Sequence, residues 1–143
     1  TLLDAYSGGG LFGLTAGREA GRVIAVESAP TAAADLRHNA RGAPRPIRMI
    51  EGAVEEVLPH LEAPWDLAVV DPPRTGLGTR GVEAIVAGRP RAVAYVSCDP
   101  ASLARDTRLL AGAGYRLEWA VPVDLFPQTF HIETLAAFTS GGP

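Results

Sequence analysis

The chain has 143 residues, 47% of them hydrophobic and 20% charged, which is enough apolar material for one domain with its own core and excludes disorder as the main state. Thirteen bases against sixteen acids leave a net charge of −3, the wrong sign for a domain that grips nucleic acid by itself. No apolar run nears the roughly 20 residues of a membrane span, TLLDAYSGGG at the N-terminus lacks the head and core of a secretion signal, and a single cysteine, Cys98, excludes an internal disulfide framework and points to a reducing, cytoplasmic compartment.

Residues 2–6 (LLDAY) predict a short apolar strand, broken by Gly8, Gly9 and Gly10. A helix is expected over 11–20, ending at Gly21, then a second strand over 22–27 (RVIAVE). Ser28 is placed to cap a helix over 29–41, with Pro30 in its first turn. A third strand (47–51, IRMIE) and a short helix (53–62) precede a fourth strand over 66–71, DLAVVD. The rigid pair Pro72-Pro73 and a loop with Gly76, Gly78 and Gly81 lead to a helix around 81–88. Residues 92–97 (AVAYVS) predict a fifth strand, after which Asp99 caps a helix that opens at Pro100 and runs to about 112. Segments 115–123 and 132–138 read as a closing pair of strands. Short apolar strands alternating with helices indicate an α/β domain with a parallel sheet covered on both faces.

Four segments carry candidate chemistry. In Asp4-Ala5-Tyr6-Ser7-Gly8-Gly9-Gly10-Leu11-Phe12-Gly13, glycines between a strand and a helix allow a tight turn and close backbone approach to a ligand. Glu27, at the end of the second strand, can accept both hydroxyls of a ribose. The pattern fits a nicotinamide dinucleotide or S-adenosylmethionine, and the glycines alone do not separate them. Asp4 leans toward the second, because an acid beside the glycines suits a methionine ammonium and repels a pyrophosphate. Asp71-Pro72-Pro73-Arg74-Thr75-Gly76-Leu77 follows strand four, where open α/β sheets bind ligands. Cys98, in Ser97-Cys98-Asp99-Pro100, lies beside a helix N-terminus whose dipole favours thiolate. Asp99 opposes this in part, although its cap bond directs it to the helix amides. Glu133 opens the last apolar strand near the same sheet edge, as a solvated strand end or a general base. His131 reads as a structural or supporting residue, and no metal site is expected because no second His or Cys lies near it.

DAYSGGGLF, DPPRTGL, YVSCDPASLARD and VDLFPQTFHIETLAAF, in this order, closely resemble the RNA 5-methyluridine methyltransferases over essentially the whole chain. The resemblance implies a Rossmann-like S-adenosylmethionine-dependent methyltransferase fold, a mostly parallel seven-stranded sheet with the last strand antiparallel. It implies transfer of a methyl group from S-adenosyl-L-methionine to carbon 5 of a uridine in rRNA or tRNA. Cys98 would be the nucleophile and Glu133 the base. Tyr6, Glu27 and Asp71 would line the cofactor pocket with Asp4, Gly8, Gly10 and Leu11. Leu11 stands where the family is often polar, and Ala53 where an Asp or Asn is common. Family members carry an RNA-binding barrel and a central domain before this region, so residues 1–143 are expected to be the catalytic domain of a longer protein that grips RNA mainly through upstream parts. The target base must leave its stack. Phe126 or Phe130 could stack on it or pack in the core, and Arg74 could reach phosphate, base or solvent. A dinucleotide-dependent oxidoreductase would leave Cys98, the Asp-Pro-Pro loop and Glu133 without a task. A folded fragment unable to hold RNA is a further alternative.

Overall fold

The computed structural model describes residues 1–61, 64–125, 127–129 and 132–141. In chain order the elements are β1 (Leu2–Ala5), α1 (Leu11–Thr15), β2 (Val23–Glu27), α2 (Pro30–Asn39), β3 (Ile47–Glu51), α3 (Val54–Val57), β4 (Leu67–Val70), α4 (Gly78–Ala87), β5 (Ala92–Ser97), α5 (Pro100–Gly112), β6 (Tyr115–Val123) and β7 (Glu133–Ser140). The strands form one seven-stranded sheet in the order β3-β2-β1-β4-β5-β7-β6. Strands β1 to β5 pair in parallel, and β7 runs antiparallel to both of its neighbours. This is the expected α/β class with its antiparallel last strand.

Strands β1 and β2 are buried over almost their whole length, as continuous apolar runs demand. The main core joins Leu3, Ile24, Val26, Val70, Ile85, Tyr95 and Phe138 with Trp65. Trp65 donates its indole N–H to the Ile85 carbonyl at 3.0 Å. Its ring fills the space beside Gly88, where a Cβ would come within 2.1 Å of ring carbon. A smaller cluster of Leu2, Val23 and Val69, with Phe12 against it, lies apart from the main core. Among the described residues no helix is long and apolar enough to cross a membrane.

Three local expectations change in three dimensions. Ser28 does not cap α2: the helix opens at Pro30 after Ala29, with no side-chain cap. The Glu27 carboxylate reaches that end first and accepts the Ala29 N–H at 2.7 Å. The helix expected over 11–20 is α-helical only to Thr15 and tightens to a 3-10 turn over Ala16–Glu19. Gly17 in that turn lies so close to the sheet that a Cβ would sit 2.8 Å from Val23. The helix expected around 81–88 starts earlier, at Gly78, despite its glycines. Its first amides are held from outside, by Asp106 of α5.

Candidate active site

Strand register brings the candidate residues to one edge of the sheet. Ala5 pairs with Val26 and with Val70, so the next residues, Tyr6, Glu27 and Asp71, emerge side by side. The antiparallel β5–β7 ladder closes at Ser97 and Thr134; Cys98 follows that pair as the chain leaves β5, and Glu133 precedes it at the start of β7. Adjacent strands lie roughly 4.8 Å apart, so the residues span one shallow row at the carboxyl ends of the parallel strands.

The glycine loop is pinned to β2. Ser7 N–H donates to the Val26 carbonyl at 3.0 Å, and Gly8 N–H to Glu27 Oε2 at 2.7 Å. Gly10 N–H closes the turn onto the Ser7 carbonyl at 2.8 Å. Gly8 and Gly10 adopt left-handed backbone, with φ of 52° and 91°. Beyond that the two differ. A Cβ on Gly8 would meet nothing within 4 Å, whereas one on Gly10 would lie 2.2 Å from Leu36 Cδ1. Gly8 therefore faces open space, and Gly10 lets α2 approach the loop. Tyr6 is also left-handed, at φ 60°, an unusual state for a bulky residue and typical of functional turns. Its ring packs against the main core, and its hydroxyl donates to Glu55 Oε1. Burial first, and that bond second, push the hydroxyl pKa above its ordinary range. Leu11 opens α1 at 65% exposure, at the rim of the loop.

Asp4 sits beneath α1, buried from solvent. It is 0% exposed; Oδ2 accepts the Gly13 N–H at 2.7 Å and Oδ1 has no partner. Burial pushes its pKa up to about 7 against the lowering effect of the Gly13 bond, and the charges of Asp71 and Glu27 add to the rise. Asp4 is therefore buried against α1 rather than open to solvent at the loop.

Cys98 is a half-buried free thiol. It precedes Asp99, whose carboxylate accepts the Ser102 N–H at 2.7 Å and caps α5, with Pro100 as its first residue. The Ser97 hydroxyl bridges the cysteine, donating to the Asp99 carbonyl at 3.0 Å and accepting the Asp99 N–H at 3.2 Å. Across the row, Asp71 is raised above the ordinary carboxylate range by burial and then by the charge of Glu133. Asp71 and Glu133 therefore share one electrostatic environment. Arg74, on the loop after Asp71, lowers the Asp99 carboxyl behind the effect of the Ser102 bonds. Phe126, Phe130 and His131 lie outside the described residues.

Asp106 closes the segment YVSCDPASLARD, but the segment by itself gives it no role. Asp106 is fully buried and binds the loop after β4 to α5. The signal for it is helical spacing. Leu103 and Leu110 define the buried stripe of α5, and Asp106 falls on that stripe between them.

A cavity of about 420 Å³ lined by Leu58, Trp65, Asp66 and Arg89 lies by the start of β4, at the opposite end of the sheet, and contains none of these residues.

The model of a family described as tRNA (uracil-5-)-methyltransferase matches residues 61–139. An uncharacterized RNA methyltransferase of Gloeobacter violaceus is 44% identical over 95% of this chain and 30% of its own length. One of Enterococcus faecalis is 40% identical over 96% of this chain and 31% of its own. The chain thus spans about a third of the length of the curated relatives it matches. The crystal structure of the Pyrococcus abyssi tRNA (uracil-54, C5)-methyltransferase, in complex with S-adenosyl-L-homocysteine, superposes with a TM-score of 0.84 at 33% identity, over 96% of this chain and 34% of that one. The family match covers more than half of the chain and takes in the Asp71 loop, Cys98 and Glu133, so the chain belongs to the tRNA (uracil-5-)-methyltransferase family.

Proposed function

We propose that this chain is the catalytic domain of a longer protein that methylates carbon 5 of a uridine in RNA, using S-adenosylmethionine. The observation that supports the reading is the β5–β7 register: its last pair, Ser97 with Thr134, is flanked by Cys98 on one strand and Glu133 on the other, at the edge that also holds the glycine loop.

The residues fit the cofactor. Gly8 turns an open, side-chain-free surface outward. Glu27 stands at the end of β2 for ribose hydroxyls, with Oε2 on the Gly8 amide and Oε1 on the Ala29 amide and a second lone pair left on each oxygen. Glu27, Asp71 and Glu133, above the buried Asp4, make the edge acidic. Such an edge attracts a sulfonium and an ammonium and repels a pyrophosphate, which disfavours a dinucleotide. Tyr6, Gly8, Gly10, Leu11, Glu27 and Asp71 would hold the cofactor, with Asp4 buried beneath α1. When bound, S-adenosylmethionine supplies an electrophilic methyl group.

Carbon 5 of uracil is too weak a nucleophile to be methylated unaided. The Cys98 thiolate adds to carbon 6, and the ring electrons make carbon 5 nucleophilic. Once carbon 5 carries the methyl group, Glu133 removes its proton, and elimination returns the thiolate. The base must be flipped or lie in a loop to reach the thiol.

The test is covalent trapping in the full-length protein. Cys98→Ala is expected to abolish methyl transfer and keep cofactor binding. Glu133→Gln is expected to accumulate a protein–RNA adduct on denaturing gels, and Cys98→Ala added to it to remove that adduct. Full activity in Cys98→Ala refutes the mechanism.

A further inference from the structure

We infer that Asp106 is a positioning residue for the reaction: it fastens the loop carrying Asp71 and Arg74 to the two elements that hold Cys98. This rests on the reading of Cys98 as nucleophile.

The Asp106 carboxylate is shared among three elements. Oδ2 accepts the Leu77 N–H at 2.6 Å and the Tyr95 hydroxyl at 2.7 Å. Oδ1 accepts the Gly78 N–H at 3.2 Å and the Arg105 guanidinium at 2.9 and 2.7 Å. Arg105 reaches on to the Thr75 carbonyl at 2.6 Å. Tyr95 lies on β5 just before Cys98, and α5 opens just after it. Thr75 and Leu77 belong to the loop that leaves Asp71, and Gly78 opens α4 directly after it. The carboxylate therefore ties the strand before the thiol, the helix after it and the facing loop into one unit.

The loop is shaped for this contact. It turns where the Gly76 N–H donates to the Pro73 carbonyl at 2.7 Å. A Cβ on Gly76 would lie 2.4 Å from Asp106 Oδ2 and 2.7 Å from Arg105 Nη2. Asp106 also takes the place of a local cap for α4, which has none of its own. An acid there answers the positive end of that helix. A carboxylate so saturated has no capacity left for substrate, so its effect on chemistry runs through what it places.

The experiment uses the full-length protein with Glu133→Gln as background and reads the single-turnover rate of adduct formation at saturating RNA. Temperatures are kept well below the lowest melting midpoint in the set. Asp106→Asn is expected to slow the adduct roughly 10- to 100-fold, as a small misplacement of reacting groups does, with RNA affinity unchanged. Gly76→Ala leaves the carboxylate in place but pushes the loop off it, and is expected to slow the adduct likewise. Should Asp106→Asn not fold, Gly76→Ala carries the same test. The double variant is expected to be no slower than the slower single, since both break one contact. A lowered melting midpoint with an unchanged adduct rate means a purely structural role and overturns the inference. No adduct even with Asp106 and Gly76 intact overturns the paired reading of Cys98 as nucleophile and Glu133 as base, and the inference with it.

Discussion

Asp4 has one oxygen on the Gly13 amide and the other without a partner. Burial, with Asp71 and Glu27 near it, lifts its pKa from 3.8 to about 7. The folded state then binds a proton more tightly than the unfolded chain. The resulting stabilisation is full below about pH 4 and is lost as pH rises through about 7. The loss is on the order of a few kcal/mol. Asp71 is raised as well and adds in the same direction. Asp4→Asn removes the larger of these two titrations. Urea denaturation at about pH 5 and about pH 8 is expected to show the parent losing more stability than the variant between the two. An equal loss in both proteins would count against the assignment to Asp4.

The β1–α1 loop assigns two glycines different work. Gly8 and Gly10 share left-handed backbone, but only Gly10 is crowded, by Leu36 and Leu14. Gly10→Ala is expected to cost roughly 2–3 kcal/mol, the sum of strain and overpacking. Gly8→Ala carries the backbone cost alone, about 1 kcal/mol. Binding of S-adenosylhomocysteine is expected to reverse the order: Gly8→Ala puts a methyl group into the open face and weakens it more. Thermal melts and titration calorimetry on both variants check the crossing. At the far side of the sheet, β6 is an edge strand whose residues after Tyr115 are exposed except for its last. Its Trp119 and Val121 pair with Ala137 and Leu135 of β7, and they stand 51% and 49% exposed.

Across the whole molecule, charge sets the expectation for RNA. The net charge is −3, and the candidate site is itself acidic. Residues 1–143 alone are therefore expected to bind a uridine-containing RNA weakly, with a shallow salt dependence. The full-length protein is expected to bind it more tightly and with a steep salt slope, because phosphate contacts release counterions. Fluorescence anisotropy over a salt series measures both. Equal affinity and equal slope for the two proteins would place the RNA grip in this domain after all.

Local chemistry was legible in the sequence. Apolar runs bounded by glycine, proline and acids locate β1, β2 and β4, because strands covered on both faces admit few polar residues. Asp99 before Pro100 marks the start of α5, because cap and first-turn geometry involve only neighbouring residues. The four motifs likewise name the candidate site residues without coordinates. What they could not determine was decided by partners distant in sequence. Glu27 reaches the Ala29 amide just before α2 because β2 ends there. Asp4 is buried rather than exposed because α1 packs over it through Gly13. That Cys98 and Glu133 flank the same strand pair depends on β7 inserting antiparallel between β5 and β6. Asp106 becomes a hub only once the loop after β4 docks on α5. Propensity and periodicity are properties of short windows, whereas burial and competition for a hydrogen bond exist only after the chain has brought remote segments together.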